Sequence, residues 1–215
     1  MNVLLDYLPE FRAGFLGTLA ITAASAVIAL VLGVLIAGFR VSPIPPLRAF
    51  GTAWVTLLRN TPLTLLFLIA FFVVPKILFQ GASPFVLGML ALGLYTSSFV
   101  CEAIRSGIST VPVGQAEAAR SIGLSFTQTL RLIVLPQATR TVLPPLSSIF
   151  IALTKNSAVA GAFSVTELFG YAKLLSDKGY AIAVIFLWVA LAYLLITFAI
   201  SGVFRLLERR MGVAR

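Results

Sequence analysis

Histidine is absent from this chain of 215 residues, cysteine occurs once, and aspartate and glutamate together number seven. The single Cys101 excludes an internal disulfide and any cysteine-based metal cluster. Without histidine and with so few carboxylates, ordinary zinc or di-iron chemistry has no ligand set. The pattern G-x-x-x-x-G-K-[ST] is also absent, so the chain binds no nucleotide through a phosphate loop of that kind. The sequence therefore predicts a chain that holds no metal or cofactor of its own.

Charged residues are scarce as well, at 11% of the chain, while 60% of the residues are hydrophobic and the mean hydropathy is +1.05. A soluble domain is usually about 25% charged, so the composition predicts an integral membrane protein. The net charge of +9 could suggest nucleic-acid binding. The basic residues lie at the ends of apolar runs, however, where they act as topology signals. No nucleic-acid partner is expected.

Five apolar segments are each long enough to supply the roughly 20 helical residues that cross a bilayer core. Basic residues follow the first segment at Arg40 and Arg48, and follow the last one from Arg205 to Arg215. Because such residues favour the cytoplasmic side, we expect the N-terminus outside and the C-terminus in the cytoplasm. The sequence thus predicts an all-α integral membrane protein with five transmembrane helices and one domain over residues 1–215. The predicted spans cover residues 14–39, 53–79, 85–108, 141–162 and 181–207.

Glycines and prolines mark particular positions in these spans. Gly33 and Gly38 of the first span offer close helix packing. Pro144 and Pro145, near the start of the fourth span, are expected to break or kink it. The outer loop over residues 163–179 mixes charged and apolar residues, and we expect a short helix there on the outer face.

A polar stretch over residues 111–138 separates the third and fourth spans, and it reads VPVGQAEAARSIGLSFTQTLRLIVLPQA. Residues 115–122 are good helix formers without glycine or proline, Gly123 can end a helix, and residues 126–134 can form another. Two short helices joined at a glycine form a compact unit rather than a loose linker. We call residues 111–138 the coupling segment.

The spacing within the coupling segment resembles a known family pattern. Glu117-Ala118-Ala119 is followed after three residues by Gly123, and nine residues later by the I-x-L-P sequence that ends at Pro136. This pattern resembles the cytoplasmic loop of permease subunits in binding-protein-dependent ABC importers. The resemblance implies a type I importer permease whose first short helix docks into a groove of a separate ATPase subunit. The alternative is an ordinary amphipathic loop that contains the sequence E-A-A by chance. The residues to which the resemblance assigns ATPase coupling are Glu117, Ala118, Ala119, Arg120, Gly123, Leu124 and Pro136.

Further motifs narrow the resemblance. The segments R-N-T-P-L-T-L, L-Y-T-S-S-F, R-S-G-I-S-T-V and I-A-L-T-K-N, together with the coupling segment, resemble the glutamate-uptake branch of polar amino-acid permeases. The chain departs from the family pattern at Asn60 and Ser106, where a glycine is usual, and it has Asn156 where members that carry basic amino acids often have an aspartate. The resemblance implies import of an amino acid, with glutamate favoured and glutamine or aspartate as alternatives.

The same resemblance implies the partners of the chain. These are two ATPase subunits that carry the ATP and magnesium, a second permease that is identical or homologous, and an extracytoplasmic substrate-binding protein. The implied location is a bacterial cell membrane, where the chain contacts lipid and performs no covalent chemistry.

Polar residues inside the predicted spans are candidates for a substrate path. Lys155 lies in the outer half of the fourth span, where a lysine is costly and usually faces a cavity or a partner; the alternative is a lysine whose amine reaches the outer interface. Arg59 has the same two interpretations near the cytoplasmic end of the second span. Keeping Lys155 while an asparagine replaces the usual aspartate favours an anionic or zwitterionic substrate. The candidate path residues are Lys155, Asn156, Ser157, Thr154, Ser97, Ser98 and Arg59.

Other classes of protein remain as rivals. A secondary transporter or channel would need its own coupling-ion site, and few membrane carboxylates are available. An intramembrane enzyme would need a nucleophile and a base, which the sequence does not offer as a pair. An ABC exporter is disfavoured because the chain has no fused nucleotide domain.

Overall fold

The computed structural model describes residues 7–78 and 80–212, and these residues form helices joined by short connections, with no strand among them. Phe79, the predicted end of the second span, and Arg215 lie outside the described residues. The helices are α1 Leu8–Val41, α2 Pro45–Asn60, α3 Leu63–Ile77 with a π-helical turn at Ile69–Val73, α4 Pro84–Ser109, α5 Val113–Ser121, α6 Phe126–Thr129 followed by a π-helical turn at Leu130–Val134, α7 Leu135–Ala162, α8 Leu168–Asp177 and α9 Ile182–Arg210.

Three of these helices, α1, α4 and α9, are long and apolar enough to cross a membrane. Helices α2 and α3 would together make a fourth span, although a bend of 102° separates them. Helix α7 has 28 residues but is not among the helices that length and composition identify as spans. The all-helical membrane architecture is confirmed, whereas five spans and their orientation stay predictions.

The predicted second span is not a continuous helix, and this part of the prediction is wrong. Helix α2 ends at Asn60, Thr61 is extended with φ −94° and ψ 128°, and α3 begins after Pro62. Proline lacks an N–H and disfavours helical geometry in the residue before it, so the chain turns there. Arg59 consequently lies in the last turn of α2, beside a bend, rather than in a straight span.

Pro144 and Pro145 do not break the helix, because both lie inside α7, and the alternative of a kink stays a prediction. The helix also begins earlier than predicted, directly after the π-helical turn. Each proline removes the bond that its N–H would have made to a carbonyl four residues earlier. Those carbonyls belong to Arg140 and Thr141, which are exposed and can be solvated.

Helix α4 lies at the centre of the fold, packed along α1 and against α7 and α2. A core of buried apolar side chains joins α1, α3, α4 and α7. A second core lies between α8 and α9, so the outer helix is held by the last span. The largest members of the first core are Ile21, Phe67, Leu92, Phe150 and Leu153, and those of the second are Leu168, Leu175, Ile185 and Val189.

The two glycines predicted to pack closely behave differently. A Cβ atom at Gly33 would lie 2.5 Å from Val100 Cγ1 and 2.7 Å from Val100 Cβ, so α1 and α4 approach each other there too closely for a side chain. A Cβ atom at Gly38 would meet no atom within 4 Å. The prediction of close packing is confirmed for Gly33 and is wrong for Gly38.

We expect Gly33→Ala to lower the thermal unfolding midpoint of the purified protein by a few degrees. The added methyl would overpack the α1–α4 contact, at a cost of about 1–3 kcal/mol, which exceeds the roughly 1 kcal/mol gained in helix propensity. Gly38→Ala, on the same helix, is the matched control and should leave the midpoint unchanged or raise it. Equal midpoints for the two variants in detergent would contradict the close contact.

Candidate functional site

The coupling segment folds as two short helices around a tight turn. Helix α5 follows Pro112 and ends at Ser121, and Gly123 adopts φ +88°, a conformation that suits glycine because it has no Cβ atom. Helix α6 begins with a capping box in which Ser125 and Gln128 each bond the backbone N–H of the other. The two predicted helices and the turn at Gly123 are confirmed.

The outer surface of the coupling segment combines charge with unusually exposed apolar side chains. Glu117, Ala118 and Arg120 are exposed. Ala119, by contrast, is buried with 4% of its surface exposed, so only one of the two predicted small residues is available for contact. Leu124 is half-buried and its N–H bonds to the Ala119 carbonyl at 3.1 Å, while Pro136 is exposed. Three large apolar side chains complete the exposed surface: Val113, Ile122 and Phe126, at 72%, 79% and 75% exposure.

The coupling segment is tied to α7. The Gln137 side chain donates a hydrogen bond to Gln115 of α5 and another, of 2.9 Å, to the carbonyl of Ile133. The π-helical turn Leu130–Val134 runs directly into α7. Helix α5 is therefore joined to α7 both through the intervening chain and by a side-chain hydrogen bond.

A cavity of about 310 Å³ lies between α4 and α7. This volume is at the small end of the range for small-molecule sites. Its walls combine aromatic rings, apolar side chains and a few hydrogen-bonding groups, and no charged side chain lines it. The lining residues are Tyr95, Thr96, Phe99, Ser148, Ile149, Ala152, Leu153 and Asn156.

Among the polar residues predicted on the fourth span, only Asn156 lines this cavity. Lys155 is exposed and points elsewhere. Thr154 and Ser157 are fully buried and bond back to their own helix, donating to the carbonyls of Phe150 at 2.9 Å and Thr154 at 2.7 Å. The four polar residues 154–157 therefore lie on different faces of α7.

The serines predicted on the third span have structural partners. Ser97 and Ser98 each donate a 2.6 Å bond within α4, to the carbonyls of Leu94 and Tyr95. Ser97 also accepts a 3.1 Å bond from the indole N–H of Trp54 on α2. The hydroxyl-rich stretch was found from sequence, but Tyr95 and Thr96, which line the cavity, were not singled out.

Arg59 of α2 does not line the cavity but contacts one of the residues that do. Its guanidinium carbon lies 5.3 Å from the centroid of the Phe99 ring, one wall of the cavity. Its Nη1 atom lies 3.8 Å from Glu102 Oε2. Glu102 also pairs with Arg105, three residues further along α4, and with Arg40 of α1. Sequence reasoning missed Arg40 and Arg59 as partners of Glu102 because they come from other helices.

Glu167 organises the end of the fold that carries α8. Helix α8, predicted as a short outer helix, begins directly after it, and its fully buried carboxylate accepts bonds of 2.6 Å from the Gly170 N–H and from the Tyr193 hydroxyl. Burial raises the pKa of Glu167, and these hydrogen bonds only partly oppose the rise. The residue fastens α8 and is not available to an external partner.

The family described as "Binding-protein-dependent transport system inner membrane component" matches residues 14–213. A probable glutamine ABC transporter permease protein, GlnM of Bacillus subtilis, is 37% identical over 98% of this chain and 97% of its own length. The glutamate transport system permease protein GluC of Corynebacterium efficiens is 42% identical over 75% of this chain and 76% of its own.

A solved structure resembles the whole fold. It is described as an amino acid ABC transporter with histidines, and it superposes with a TM-score of 0.88 at 30% identity, covering 96% of each chain. The likeness extends over nearly all of the helices described above.

The raised pKa of Glu167 predicts that acid stabilises the outer end of the fold. The protonated carboxyl is favoured in the folded state, so its contribution is complete below the ordinary glutamate pKa of about 4.3 and is lost as the pH rises through the raised folded pKa. We expect the thermal midpoint to fall less between pH 4.5 and 7.5 in Glu167→Gln than in the wild type. Asp177→Asn, an exposed carboxylate at the end of α8, is the control and should keep the wild-type slope. A wild-type slope in Glu167→Gln would contradict this assignment.

Proposed function

Since the chain belongs to the family of binding-protein-dependent transport system inner membrane components, we propose that it is the permease of an ATP-driven importer that carries glutamate. The observation that carries the mechanism is the connection of an exposed docking surface, on α5 and α6, to the helix that lines the cavity. The chain would perform no covalent chemistry. Hydrolysis of ATP, with its magnesium, would take place on the partner ATPase.

The coupling segment would be the contact with the ATPase. Glu117 and Arg120 offer exposed charges, and Val113, Ile122 and Phe126 offer largely exposed apolar side chains. Exposed apolar surface next to charged residues is typical of a protein-binding site. Ala118 and the turn at Gly123 keep this surface compact.

Motion would pass from the coupling segment to the cavity through α7. The Gln115–Gln137 bond and the π-helical turn fix α5 to the start of α7, and Asn156 lies about five turns further along the same helix, on the cavity wall. A helix that moves as one body would therefore change the cavity when the ATPase subunits close.

The substrate path would run through the cavity between α4 and α7. We propose that Asn156 contacts substrate there and that Arg59 and Lys155 supply positive potential at its edges. Thr154, Ser157, Ser97 and Ser98 would support the walls, since their hydroxyls already have helix partners. Positive potential without a lining carboxylate suits an anionic amino acid.

The assembly would contain a second permease, identical or homologous, because one chain of this size encloses too little volume for a gated path. An extracytoplasmic binding protein would deliver substrate to the face that carries α8. Five spans, an external N-terminus and a cytoplasmic C-terminus in a bacterial cell membrane complete the proposal.

Glutamate is favoured over the alternatives by the charge around the cavity and by the relative named as a glutamate permease. A relative named as a glutamine permease makes glutamine the second candidate, with aspartate as a third. A secondary transporter would differ from all of these in its energy source. For the proposed importer, uptake should stop on ATP depletion and persist when the ion gradient alone is collapsed.

We expect Glu117→Lys to abolish glutamate uptake and substrate-stimulated ATPase activity while the complex still inserts into the membrane. The reversed charge would oppose docking of the coupling segment, and Gly123→Pro should act alike because proline cannot adopt φ +88°. The same charge reversal at Glu208, near the end of α9, is the control and should retain uptake. Uptake by Glu117→Lys in reconstituted vesicles would contradict the docking role.

A second pair of variants tests the path. Asn156→Asp keeps the side-chain shape but adds a negative charge to the cavity wall, so the half-saturating glutamate concentration should rise roughly tenfold, which corresponds to about 1.4 kcal/mol. Lys155→Ala should also raise it, by less, because Lys155 lies outside the lining. Lys173→Ala, an exposed lysine on α8, should have no effect. A glutamate concentration dependence that is the same in all three variants would remove Asn156 and Lys155 from the path.

A further inference from the structure

Helix α2 lies across the direction of the membrane-crossing helices. It is bent by 102° from α3, and α3 leads back to the start of α4 through residues 78–83. Arg59, in the last turn of α2, lies 3.8 Å from Glu102 of α4. Glu102 is 18 residues, or about 27 Å, from Pro84 at the start of α4. Since α3 and its short connection cover this distance, α3 runs along α4, and α2 is roughly perpendicular to both.

The position of α2 coincides with the change from apolar to charged residues on its neighbours. Residues 13–39 of α1 and 84–101 of α4 contain no charged residue, and Arg40 and Glu102 end these runs. Helix α2 packs at that level, because a Cβ atom at Gly51 would lie 2.7 Å from Arg40 Cγ. Charged residues at the ends of apolar runs lie at the membrane surface. Helix α2 therefore lies at the boundary between lipid and water, at the end of the fold that carries the coupling segment.

Three sectors divide the surface of α2 around its axis. One sector is buried against α1 and α4, the second is exposed and apolar, and the third is exposed and polar. The members of each sector recur at intervals of three or four residues, which places them on one face of a helix. They are Gly51, Val55 and Leu58 in the buried sector, Phe50, Ala53 and Leu57 in the apolar sector, and Arg48, Thr52, Thr56 and Arg59 in the polar sector.

Exposed apolar and exposed polar sectors on one helix suit the membrane surface. Phe50 and Leu57 are 52% and 69% exposed, and acyl chains would cover them there while the polar sector meets the headgroups. An open hollow of about 460 Å³ runs beside these two side chains and gives room for an acyl chain. The three apolar residues are far fewer than the roughly 20–30 residues on each side of a standard protein interface, so lipid fits this sector better than a second permease.

Arg48 is the polar-sector residue that can bind a headgroup. It is exposed, and its guanidinium makes no hydrogen bond or ion pair within residues 7–78 and 80–212. Arg59, by contrast, lies beside Glu102. A guanidinium binds phosphate oxygens through two parallel bonds, and its charge complements a headgroup with net negative charge.

We propose that α2 is a membrane-surface helix that binds an anionic phospholipid, with the lipid phosphate on Arg48 and an acyl chain along Phe50 and Leu57. The bound lipid fixes the depth at which α2, and the ends of α1 and α4 packed against it, lie in the membrane. This site is separate from the proposed substrate path and from the proposed ATPase contact.

The first test attaches a spin label to α2 in the protein purified with its co-purifying subunits, in nanodiscs that contain phosphatidylglycerol. Cys101→Ser removes the only native cysteine of this chain. A label at Leu57→Cys should collide more often with oxygen, which concentrates in lipid, than with a water-soluble nickel chelate. A label at Thr52→Cys, in the polar sector, should show the reverse. The same accessibility at both positions, or a Leu57→Cys label shielded from both reagents by a second permease, would overturn the proposal.

The second test measures which lipid occupies the hollow. A fluorophore at Leu57→Cys should be quenched by brominated phosphatidylglycerol at a lower lipid fraction than by brominated phosphatidylcholine. Arg48→Gln should reduce this preference roughly fivefold, which corresponds to about 1 kcal/mol for one arginine near the surface. Arg48→Lys should retain most of it, and Lys76→Gln, an exposed lysine near the end of α3, should retain all of it.

An unchanged preference for phosphatidylglycerol in Arg48→Gln would overturn the headgroup assignment, as would an equal loss in Lys76→Gln. Neither test measures uptake or ATP hydrolysis. A failure of the proposed importer function would therefore leave these outcomes unaffected, and a failure of lipid binding would leave the importer function standing.

Discussion

Polar groups in apolar surroundings must find partners within the protein, and this constraint explains much of the structure. An unpaired polar group in such an environment costs several kcal/mol. The hydroxyls of Ser97, Ser98, Thr154 and Ser157 meet the constraint by bonding to their own helices. Glu102 meets it with arginines from other helices. The satisfied groups hold the fold together and leave little capacity for a ligand.

One polar side chain of the candidate path faces a cavity. Asn156 lines the space between α4 and α7, and Phe99, which lines the same space, is in contact with Arg59. A polar amino acid in the proposed path would bond to Asn156. The difference between satisfied and available groups therefore separates the scaffold from the proposed path more clearly than polarity alone, because buried serines and a cavity asparagine look equally polar in a sequence.

The ends of the fold are built for different tasks. At the end that carries α8, Glu167 is fully buried and fastens α8 to Tyr193 of α9, so this end is locally fixed. At the other end, Ile122 and Phe126 remain largely exposed on a compact unit tied to α7. Exposed apolar surface of this kind is typical of a protein-binding site, and its connection to α7 is the reason that we propose the ATPase contact here.

The sequence by itself determined the membrane class, the helical architecture, and the two short helices with their turn at Gly123. These features follow from local properties, which are the length of the apolar segments and the positions of glycine and of good helix formers. Only the tertiary structure decided that α2 and α3 bend by 102°, that α7 continues through Pro144 and Pro145, and that Asn156 rather than Lys155 lines the cavity. The packing of distant helices sets the direction in which a side chain faces, and it brings the arginines of α1 and α2 to Glu102. The physical reason is that no local pattern along the chain records this packing.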